Sequence, residues 1–355
     1  MNFMTASLKL RYICEHGNLL SSARGLAADE TLNISISENN SPPILHLYNF
    51  KPAVIVGKYQ DISSVINIEK CNKYHVEYNR RHTGGGTVFM NQDVVALGFG
   101  VSLDFPGISR SISKVFELAS EIFINSLQKI GIKAKFKPKN DIEVNGKKIA
   151  GLSATVEDNN TLLFHSSILV DFDLEMMLEL LKLPTEKLSD KGYGCFSRRM
   201  TTINKEIKTK ITMQDMMKII AESFSERLHL ELFCEQFTDW EKNKINELEQ
   251  NKYRSGDWIF SSRHVKQTMG KSLKKTKGGL LEVFSSKSGN LIDSIIITGD
   301  FFSTDKDIKL IENALRFTKF EKNEILNSLH KIWKENIIWG VTSEELTDII
   351  LNSVN

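Results

Sequence analysis

The sequence is organised around residues 78–89, which read Tyr-Asn-Arg-Arg-His-Thr-Gly-Gly-Gly-Thr-Val-Phe. The three consecutive glycines, Gly84, Gly85 and Gly86, leave backbone amides that no side chain shields, and positive φ angles cost little there. The two arginines at the start of the stretch can donate forked hydrogen bonds to a phosphate or carboxylate. The stretch predicts an anion-binding loop, and the alternative is a glycine turn with two solvated arginines.

The elements around this loop alternate between strands and helices. Apolar runs bounded by turn residues predict strands, and apolar residues at helical spacing predict helices. The predicted strands are 44–48, 53–57, 76–78, 87–90, 94–101, 133–138, a hairpin at 140–149 that continues through 151–156, and 161–170. The predicted helices are 18–32, 66–74, 108–130, 174–183 and 213–228.

A charged helix, predicted at residues 239–251, separates this part of the chain from the remainder. We therefore expect two domains, residues 1–245 and residues 246–355. In the second domain the pattern predicts strands at 258–265, 280–285 and 291–298 and helices at 306–316, 322–333 and 342–351.

Composition narrows the classes of function. The net charge of +2 over 355 residues gives no general field that would favour nucleic acid. No run of about 18 apolar residues predicts a membrane span. The four cysteines are far apart and lack metal-binding spacing, which fits a reducing compartment. We expect a cytoplasmic monomer without nucleic-acid or membrane partners, and a short organellar presequence stays an open alternative.

Gly270, Lys271 and Ser272 match the last three residues of a phosphate-binding P-loop motif. That motif requires a glycine five residues before Gly270, where this chain has Val265. A lysine-rich solvated turn is therefore the preferred interpretation of this segment.

Lys147 and Lys148 follow a predicted Asn-Gly hairpin turn. Because side chains alternate along a strand, the two lysines face opposite sides of the sheet. Small neighbours, including Gly151 and Ser153, leave room beside Lys148, which suits a negatively charged ligand. Two exposed hairpin lysines are the alternative.

Two further candidates each have an ordinary alternative. His165 lies in an apolar strand, where a hydrogen-bonded core histidine is the common outcome. Cys195 lies in a glycine-flanked loop shortly before two arginines. A nucleophilic cysteine requires an accessible thiolate beside a cation or base, and an ordinary loop residue is the alternative.

Five ordered motifs together resemble the lipoate–protein ligases, and they extend over nearly the whole chain. The glycine loop comes first. The others are Asn140-Asp141-Ile142 with Gly146-Lys147-Lys148-Ile149-Ala150-Gly151, then His165 before Ser-Ser-Ile-Leu, then Ser-Arg-Arg-Met-Thr-Thr-Ile at 197–203, and finally Gly299-Asp300-Phe301-Phe302.

This resemblance implies an α+β fold. It implies a catalytic domain like that of biotin ligases, with a mixed sheet and flanking helices, followed by a small α+β C-terminal domain. It also implies that lipoate and Mg-ATP give lipoyl-adenylate and pyrophosphate, and that the lipoyl group then passes to a lysine. The implied acceptors are lipoyl domains of 2-oxoacid dehydrogenase complexes or the glycine-cleavage H protein.

The same resemblance implies roles for individual residues. Lys148 is the implied catalytic residue, because it would stabilise charge on the carboxylate and α-phosphate in both steps. Asn140 and Asp141 match a pair near the phosphates, with Asp141 the candidate magnesium ligand. The other expected lipoate or ATP contacts are Arg81, Thr83, Gly84, Gly85, Gly86, Val88, Phe89, Asn91, Gly151 and His165. We expect strand residues to line the acyl tunnel, namely Val54, Val56, Val76 and Leu97.

The chain departs from the family pattern at three places. Residues 90–94 replace the family's His-Asp-x-Gly-Asn, and residues 164–167 replace its His-His-Gly-Thr. Residues 194–199 replace its Lys-Ser-Val-Arg-Ser-Arg. Two alternatives with the same fold stay open: a lipoyltransferase that uses pre-formed lipoyl-adenylate, and an octanoyl or lipoyl amidotransferase with Cys195 as nucleophile. A third alternative is a non-catalytic carrier-binding protein, against which Lys148 and the glycine loop argue.

Overall fold

The largest element of the fold is a mixed sheet of eight strands. The computed structural model describes residues 9–182, 198–261 and 268–354. From one edge to the other, the strands are β11 (Glu231–Cys234), β1 (Lys9–Leu20), β2 (Ile44–Phe50), β6 (Val94–Ser102), β10 (Thr161–Leu169), β9 (Lys147–Val156), β8 (Asp141–Val144) and β7 (Lys135–Lys137).

Helices flank this sheet, and their ends carry recognisable caps. Thr238 and Glu241 form a capping box at the start of the charged helix, and Thr212 caps the helix that begins at Met213. The helices are α1 (Ser22–Asn39), α2 (Ile62–Val65), α3 (Ile68–Lys73), α4 (Ile112–Lys129), α5 (Leu174–Leu180), α6 (Ile203–Glu206), α7 (Met213–Leu228), α8 (Asp239–Leu248) and α9 (Gly256–Ile259), with a π-helical turn at Glu249–Tyr253.

The two faces of the sheet have different partners. On one face, α4 and α7 pack through Phe116, Phe123 and Phe224 onto apolar strand residues. On the other face, α1 covers the middle strands. Gly98 and Gly100 permit this close approach, because a Cβ at either position would collide with Asp29 or Leu32 of α1. The second face is the one that carries the candidate site.

A small second sheet holds the glycine loop. Its central strand, β3 (Ala53–Val56), pairs in parallel with β4 (Glu77–Arg80) and antiparallel with β5 (Val88–Met90). Residues 81–87 connect β4 to β5 across the end of β3. The guanidinium of Arg80 donates to the backbone carbonyls of Gly57, Lys58, Gln60, Trp258 and Ile259. Arg80 is therefore a buried structural residue rather than a solvated one.

The C-terminal part is a separate α+β unit with its own apolar core. It consists of a three-stranded antiparallel sheet and three helices: β12 (Gly270–Thr276), β13 (Gly279–Ser288), β14 (Leu291–Gly299), α10 (Asp305–Leu315), α11 (Lys322–His330) and α12 (Ser343–Leu351). Residues 249–259 pack instead on the N-terminal part, where Tyr253 and Trp258 join the core beneath α1. The division at residue 245 stays a prediction.

Many predicted elements are confirmed. The helix at 213–228 has the predicted bounds and the predicted cap. The Asn-Gly turn is also confirmed, because Asn145 and Gly146 have φ angles of 51° and 77°, as a tight hairpin turn requires. The α+β fold with a mixed sheet and a small C-terminal domain is confirmed as well.

Other predictions were wrong. The predicted helix at 18–32 begins later, because residues up to Leu20 belong to β1, and it continues to Asn39. The predicted strand at 258–265 begins instead within the short helix α9, and residues 262–267 lie outside the described part. The lysine-rich segment at 270–276 is strand β12 rather than a turn. Strand β1 and the edge strand β11 were not predicted. For β1 and β11, pairing between residues far apart in the chain decided the conformation.

Within the described ranges, no helix combines the length and apolar character that crossing a bilayer would require.

Candidate active site

A cavity opens between α1, the glycine loop and the second face of the large sheet. Its empty space is about 660 Å³, including the solvent at its mouth. The wall combines apolar side chains with a few polar ones, which is typical of a small-molecule site. The apolar lining is Leu26, Tyr48, Phe50, Ile55, Val88, Met90, Ala96, Leu97 and Leu152, and the polar lining includes Asp29, Arg81, Asn140, Lys148, Ser153 and His165.

Lys148 and Asp141 form an ion pair at the cavity. Lys148 Nζ lies 2.6 Å from Asp141 Oδ1, and about a third of each side chain is exposed. A bulge between β8 and β9 places Lys148 and Gly151 on the same side of the sheet. A Cβ on Gly151 would lie 3.0 Å from Lys148 Nζ, so the glycine makes room for the lysine. The predicted pair of a lysine and a small neighbour is thus assembled beside the cavity.

Asn140 lies at the start of β8 and also lines the cavity. Its Nδ2 donates to the carbonyl of Leu152 (2.7 Å), and its own carbonyl accepts from the amide of Leu152 (2.8 Å). These two bonds fix the Asn140-Asp141 pair against β9. Asp141 Oδ1 is buried and has no hydrogen-bond partner apart from its ion pair with Lys148.

The Arg81 guanidinium forms a second cationic group in the cavity wall. It donates to the carbonyl of Gly84, at 2.5 Å from Nη2 and 3.2 Å from Nε. Burial lowers the pKa of Arg81 to about 10, and the nearby Asp300 carboxylate opposes that shift. Arg81 is therefore protonated at neutral pH and can hold an anion.

The three glycines do not all face the cavity. Gly86 lines it, whereas Gly84 and Gly85 lie against the C-terminal domain. The amide of Gly85 donates to the carbonyl of Phe301 at 3.0 Å, and a Cβ on Gly85 would lie 3.0 Å from the Phe302 ring. Gly85 also has a φ of 90°, which favours glycine. Gly84 and Gly85 thus leave room for the Asp300-Phe301-Phe302 segment to pack against the loop. Contact of these two glycines with a ligand stays a prediction.

A buried polar network lies behind the cavity, and sequence reasoning missed most of it. Asp29 Oδ1 accepts from His46 Nδ1 (3.0 Å), and Oδ2 accepts from the Tyr48 hydroxyl (2.8 Å). His165 Nε2 lies 3.2 Å from Oδ2 without forming a hydrogen bond. On the far side of the ring, His165 Nδ1 meets the Thr83 hydroxyl at 3.0 Å.

The charges of this network stabilise one another. Burial disfavours the charged form of Asp29, yet contacts with His165 and His46 lower its pKa to about 2. Burial also opposes protonation of His46, but hydrogen bonds to Asp29 and Glu15 raise the pKa of that histidine. A carboxylate on the buried face of α1 was the available sequence signal, because a buried acid requires partners.

Ser153 links the network to the glycine loop. Its hydroxyl donates to Thr83 Oγ1 (2.7 Å) and lies 2.9 Å from the carbonyl of Gly84. The predicted residues Thr83 and His165 therefore lie side by side, with Thr83 buried behind the wall and His165 in it.

Several predicted residues lie away from the cavity. Phe89 points into a separate apolar cluster, and Asn91 is buried in the turn before β6. The predicted tunnel residues Val54, Val56 and Val76 belong to that same cluster, so their placement in the tunnel was wrong. Strand alternation explains the error, because Ile55 faces the cavity between Val54 and Val56. Leu97 does line the cavity, and Cys195 lies outside the described residues.

Comparison with known families agrees with this arrangement. Residues 21–225 match the family model described as the lipoyl protein ligase A/B catalytic domain. The chain belongs to this family. Residues 269–350 match a second model, described as the bacterial lipoate protein ligase C-terminus. The lipoate ligase resemblance of the sequence is thereby confirmed, and the chain is an enzyme of the lipoate ligase and transferase family.

Relatives within the lipoyl protein ligase family carry two kinds of name. The chain is 28% identical to the octanoyltransferase LipM of Bacillus subtilis, over 68% of this chain and 94% of that one. It is 29% identical to lipoate–protein ligase 1 of Staphylococcus aureus, over 81% of this chain and 86% of that one. It is 27% identical to lipoate–protein ligase 2 of the same organism, over 87% of this chain and 90% of that one.

Solved structures share the fold of this family member. The bipartite lipoate protein ligase of Thermoplasma acidophilum superposes with a TM-score of 0.65 and 25% identity, covering 74% of this chain and all of that one. Plasmodium falciparum LipL1, solved with lipoate, superposes with a TM-score of 0.75 and 21% identity, covering 97% and 99%. The second comparison shows that the fold match includes the C-terminal domain.

Proposed function

We propose that this protein is a lipoate–protein ligase that activates lipoate with ATP and transfers the lipoyl group to a lysine of a lipoyl domain or H protein. One observation carries the proposal: Lys148 and Arg81 place two cationic groups in the wall of a largely apolar cavity. The apolar part suits an aliphatic acyl chain. The two cations suit the carboxylate and the α-phosphate that react with each other.

The share of this chain that the relatives cover supports the ligase function over the transferase function. The B. subtilis octanoyltransferase is almost fully covered by about two thirds of this chain, so the remaining third has no counterpart there. The S. aureus ligase 2, by contrast, matches over 87% of this chain. The match of residues 269–350 to a ligase C-terminus points the same way.

In the first step, a carboxylate oxygen of lipoate attacks the α-phosphorus of ATP, and the bond to pyrophosphate breaks. Negative charge increases on the α-phosphate oxygens as this happens. Lys148 Nζ and the Arg81 guanidinium stabilise that charge from fixed positions in a partly dehydrated wall. The apolar lining around Phe50, Ile55 and Leu97 holds the acyl chain and keeps water away from the mixed anhydride.

The described residues fit a magnesium ion held mainly by substrate. They contain no cluster of three or more His, Cys, Asp or Glu side chains suited to a metal. Asp141 offers one carboxylate, whose buried Oδ1 has only the Lys148 ion pair as a partner among the described residues. Magnesium commonly takes one or two carboxylates together with phosphates and water, and it would neutralise phosphate charge when bound. We therefore propose Asp141 as the protein ligand.

In the second step, the neutral amine of the acceptor lysine attacks the acyl carbonyl, AMP leaves with the bonding electron pair, and the nitrogen releases a proton to solvent. Lys148 and Arg81 stabilise the departing phosphate, so the same cations serve both steps. Since the acceptor must reach the cavity mouth, the adenylate has to be held there rather than enclosed completely.

A second candidate is octanoyl transfer through a cysteine thioester, because the LipM relatives carry that name. Among the described cysteines, Cys71 is buried, Cys14 and Cys234 are exposed, and none lines the cavity. The candidate nucleophile is therefore Cys195, which lies outside the described residues.

One assay separates the two functions. The protein is incubated with lipoate, Mg-ATP and an apo lipoyl domain, while pyrophosphate release and the mass of the acceptor are followed. The ligase predicts one pyrophosphate per lipoylated lysine, and Cys195→Ser keeps this activity. Absence of pyrophosphate, with an acyl thioester that forms from octanoyl-carrier protein and disappears in Cys195→Ser, would establish the transferase instead. Transfer only from synthetic lipoyl-adenylate would establish a lipoyltransferase.

We further propose that residues 1–245 and 246–355 act as the catalytic and accessory domains of a cytoplasmic monomer. Sedimentation of the full chain at one protomer mass across concentrations tests the monomer.

A further inference from the structure

The outer edge of the large sheet next to the cavity is basic. Among the described residues, strand β7 pairs only with β8, so its outer edge is unpaired there. Lys133, Lys135 and Lys137 are exposed along it. Phe136 points the other way, into the core beneath α4. Lys135 and Lys137 therefore share the face of the sheet opposite α4, and Lys133 lies exposed two residues before the strand.

This face is the one that carries the cavity. Residues opposite each other in antiparallel strands point to the same side. Lys137 lies opposite Asp141, which lies opposite Gly151 in the cavity wall. Lys135 lies opposite Glu143, which lies opposite Lys148. Since neighbouring strands are about 4.8 Å apart, β7 lies about 10 Å from the strand that bears Lys148.

A second basic edge meets the first one. In the described part of the C-terminal sheet, strand β12 lies at the edge, and Lys271, Lys274, Lys275 and Lys277 are exposed along it and its turn. The two edges approach each other at Asp300. Lys139 Nζ lies 3.3 Å from Asp300 Oδ1, and the amide of Leu280, just after the β12–β13 turn, donates to the same oxygen. Together the lysines of β7 and β12 form one basic rim beside the cavity mouth.

Much of the positive charge on this rim is uncompensated. Lys137, Lys139 and Lys271 have carboxylate partners, namely Glu143, Asp300 and Glu282. In the part of the chain that the structure describes, Lys133, Lys135, Lys274, Lys275 and Lys277 form no ion pair. The whole chain carries a net charge of only +2, so this concentration is local. Such a field raises the rate at which an oppositely charged partner arrives.

We propose that the basic rim of β7 and β12 is the docking surface for the acceptor protein, and that the acceptor presents an acidic face around its target lysine. The proposal rests on the proposed function, because an acceptor lysine must reach the acyl group beside Lys148. Charge complementarity identifies the occupant as an acidic protein domain. Its acidic residues pair with the unpaired rim lysines, while its target lysine enters the cavity mouth.

Lysines on open sheet edges also discourage aggregation, and that role by itself requires no partner. The two roles differ in a measurable way. A protective edge affects solubility, whereas a docking rim affects acceptor recognition and leaves the first half-reaction alone. The rim lysines do not line the cavity, so adenylate formation provides the internal reference.

The test compares two variants with the same change in net charge. The rim variant carries Lys133→Glu, Lys135→Glu, Lys274→Glu and Lys275→Glu. The control carries Lys51→Glu, Lys73→Glu, Lys309→Glu and Lys331→Glu, which are exposed lysines on neither edge strand. Circular dichroism establishes that both fold, and a rim variant with glutamine in place of glutamate provides a milder second test.

Affinity for an apo lipoyl domain is measured by titration calorimetry, and pyrophosphate release and transfer are measured separately. For the rim variant we expect an acceptor Kd and KM raised about tenfold or more at low salt, with pyrophosphate release unchanged. Glutamine should give an intermediate rise, and added salt should weaken binding by the wild-type chain.

Three outcomes would overturn the docking surface: an unchanged acceptor Kd in the rim variant, an equal rise in the control, or tighter binding of a short RNA than of the acceptor to the rim. Because the calorimetric Kd requires no turnover, the docking surface can stand or fall independently of ligase activity. A wild-type chain that binds the acceptor but releases no pyrophosphate would contradict the ligase and leave the rim intact.

Discussion

At the scale of single residues, Lys148 combines exposure with a fixed position. It is held by the ion pair with Asp141 and by the room that Gly151 leaves, and not by deep burial. An ion pair with this exposure contributes about 0–1 kcal/mol to folding. Removing Lys148 should therefore affect chemistry much more than stability.

We predict that Lys148→Ala lowers the rate of pyrophosphate release about 100-fold or more, because it removes a fixed cation from the developing negative charge. The melting temperature should stay close to that of the wild type. Lys147→Ala, on the neighbouring position of the same hairpin, is the matched control and should retain activity. Near-normal turnover by Lys148→Ala would refute the site assignment.

Asp29 presents the opposite combination, since it is fully buried and surrounded by partners. Its pKa in the folded protein is about 2, below the ordinary value of 3.8. A lowered folded pKa contributes stability that is present above the unfolded value and is lost as pH falls through the folded value. The contribution is about 2 kcal/mol at neutral pH.

We predict that Asp29→Asn is less stable at neutral pH and loses less stability than the wild type between about pH 4 and pH 2. Urea unfolding at a series of pH values measures both effects. Asp158→Asn, at a highly exposed carboxylate, is the control and should keep the wild-type slope. An unchanged acid slope in Asp29→Asn would show that the buried network does not hold this carboxylate ionised.

At the scale of elements, the glycine loop serves two neighbours at once. A Cβ on Gly84 would collide with the carbonyl of Phe301, whereas a Cβ on Gly86 would have no neighbour closer than 3.8 Å. The loop is therefore constrained by the C-terminal domain at its first two glycines and open to the cavity at its third.

We predict that Gly84→Ala lowers the free energy of unfolding by about 1–3 kcal/mol, because the methyl group forces the loop away from Phe301. Gly86→Ala should leave stability within about 0.5 kcal/mol, while any loss of activity would report on contact with the ligand. Thermal unfolding and pyrophosphate release are measured for both variants. Equal stability of the two would contradict the assigned contact with Phe301.

The same element shows how far local sequence could predict the site. The glycines and Arg81 were recognisable because adjacent residues carry the signal. Which glycine faces which neighbour depends on a segment more than 200 residues away, Asp300-Phe301-Phe302. The Val54 and Val56 error has the same origin, because strand alternation fixes two faces but not which one meets the cavity.

At the scale of the whole molecule, the two domains meet through an apolar contact with a charged margin. The Phe302 ring is buried against Phe116 and Trp339, with ring centroids 5.2 Å and 6.3 Å away. Tyr59 stacks on Phe301 at 4.8 Å, and Lys58 pairs with the half-exposed Asp305 at 2.9 Å. The apolar contact should provide most of the binding between the domains.

We predict that Phe302→Ala destabilises the domain contact by about 3–5 kcal/mol, the usual effect of removing a buried aromatic ring. Asp305→Ala, at the exposed margin of the same contact, should change stability by about 1 kcal/mol or less. Differential scanning calorimetry measures both. Equal effects of the two substitutions would contradict an apolar contact as the main link between the domains.

The sequence by itself determined the features that depend on residues close together in the chain. These include the Asn145-Gly146 turn and the Thr212 cap, which are confirmed, and the position of Lys148 rather than Lys147 beside the cavity. Anion binding by the glycine loop stays a prediction. Backbone preference, side-chain period and capping act within a few residues, so they can be recognised in one sequence.

Only the tertiary structure decided which distant groups meet. It brought Asp29 to His165, joined the two lysine-rich edges through Lys139 and Asp300, and placed Phe301 and Phe302 on Gly84 and Gly85. These contacts depend on the burial of apolar surface from both ends of the chain, which fixes positions that no local pattern encodes. Some residues of the candidate site, such as Arg81, Lys148 and His165, were thus recognisable from sequence, whereas Asp29 and most of the cavity lining were not.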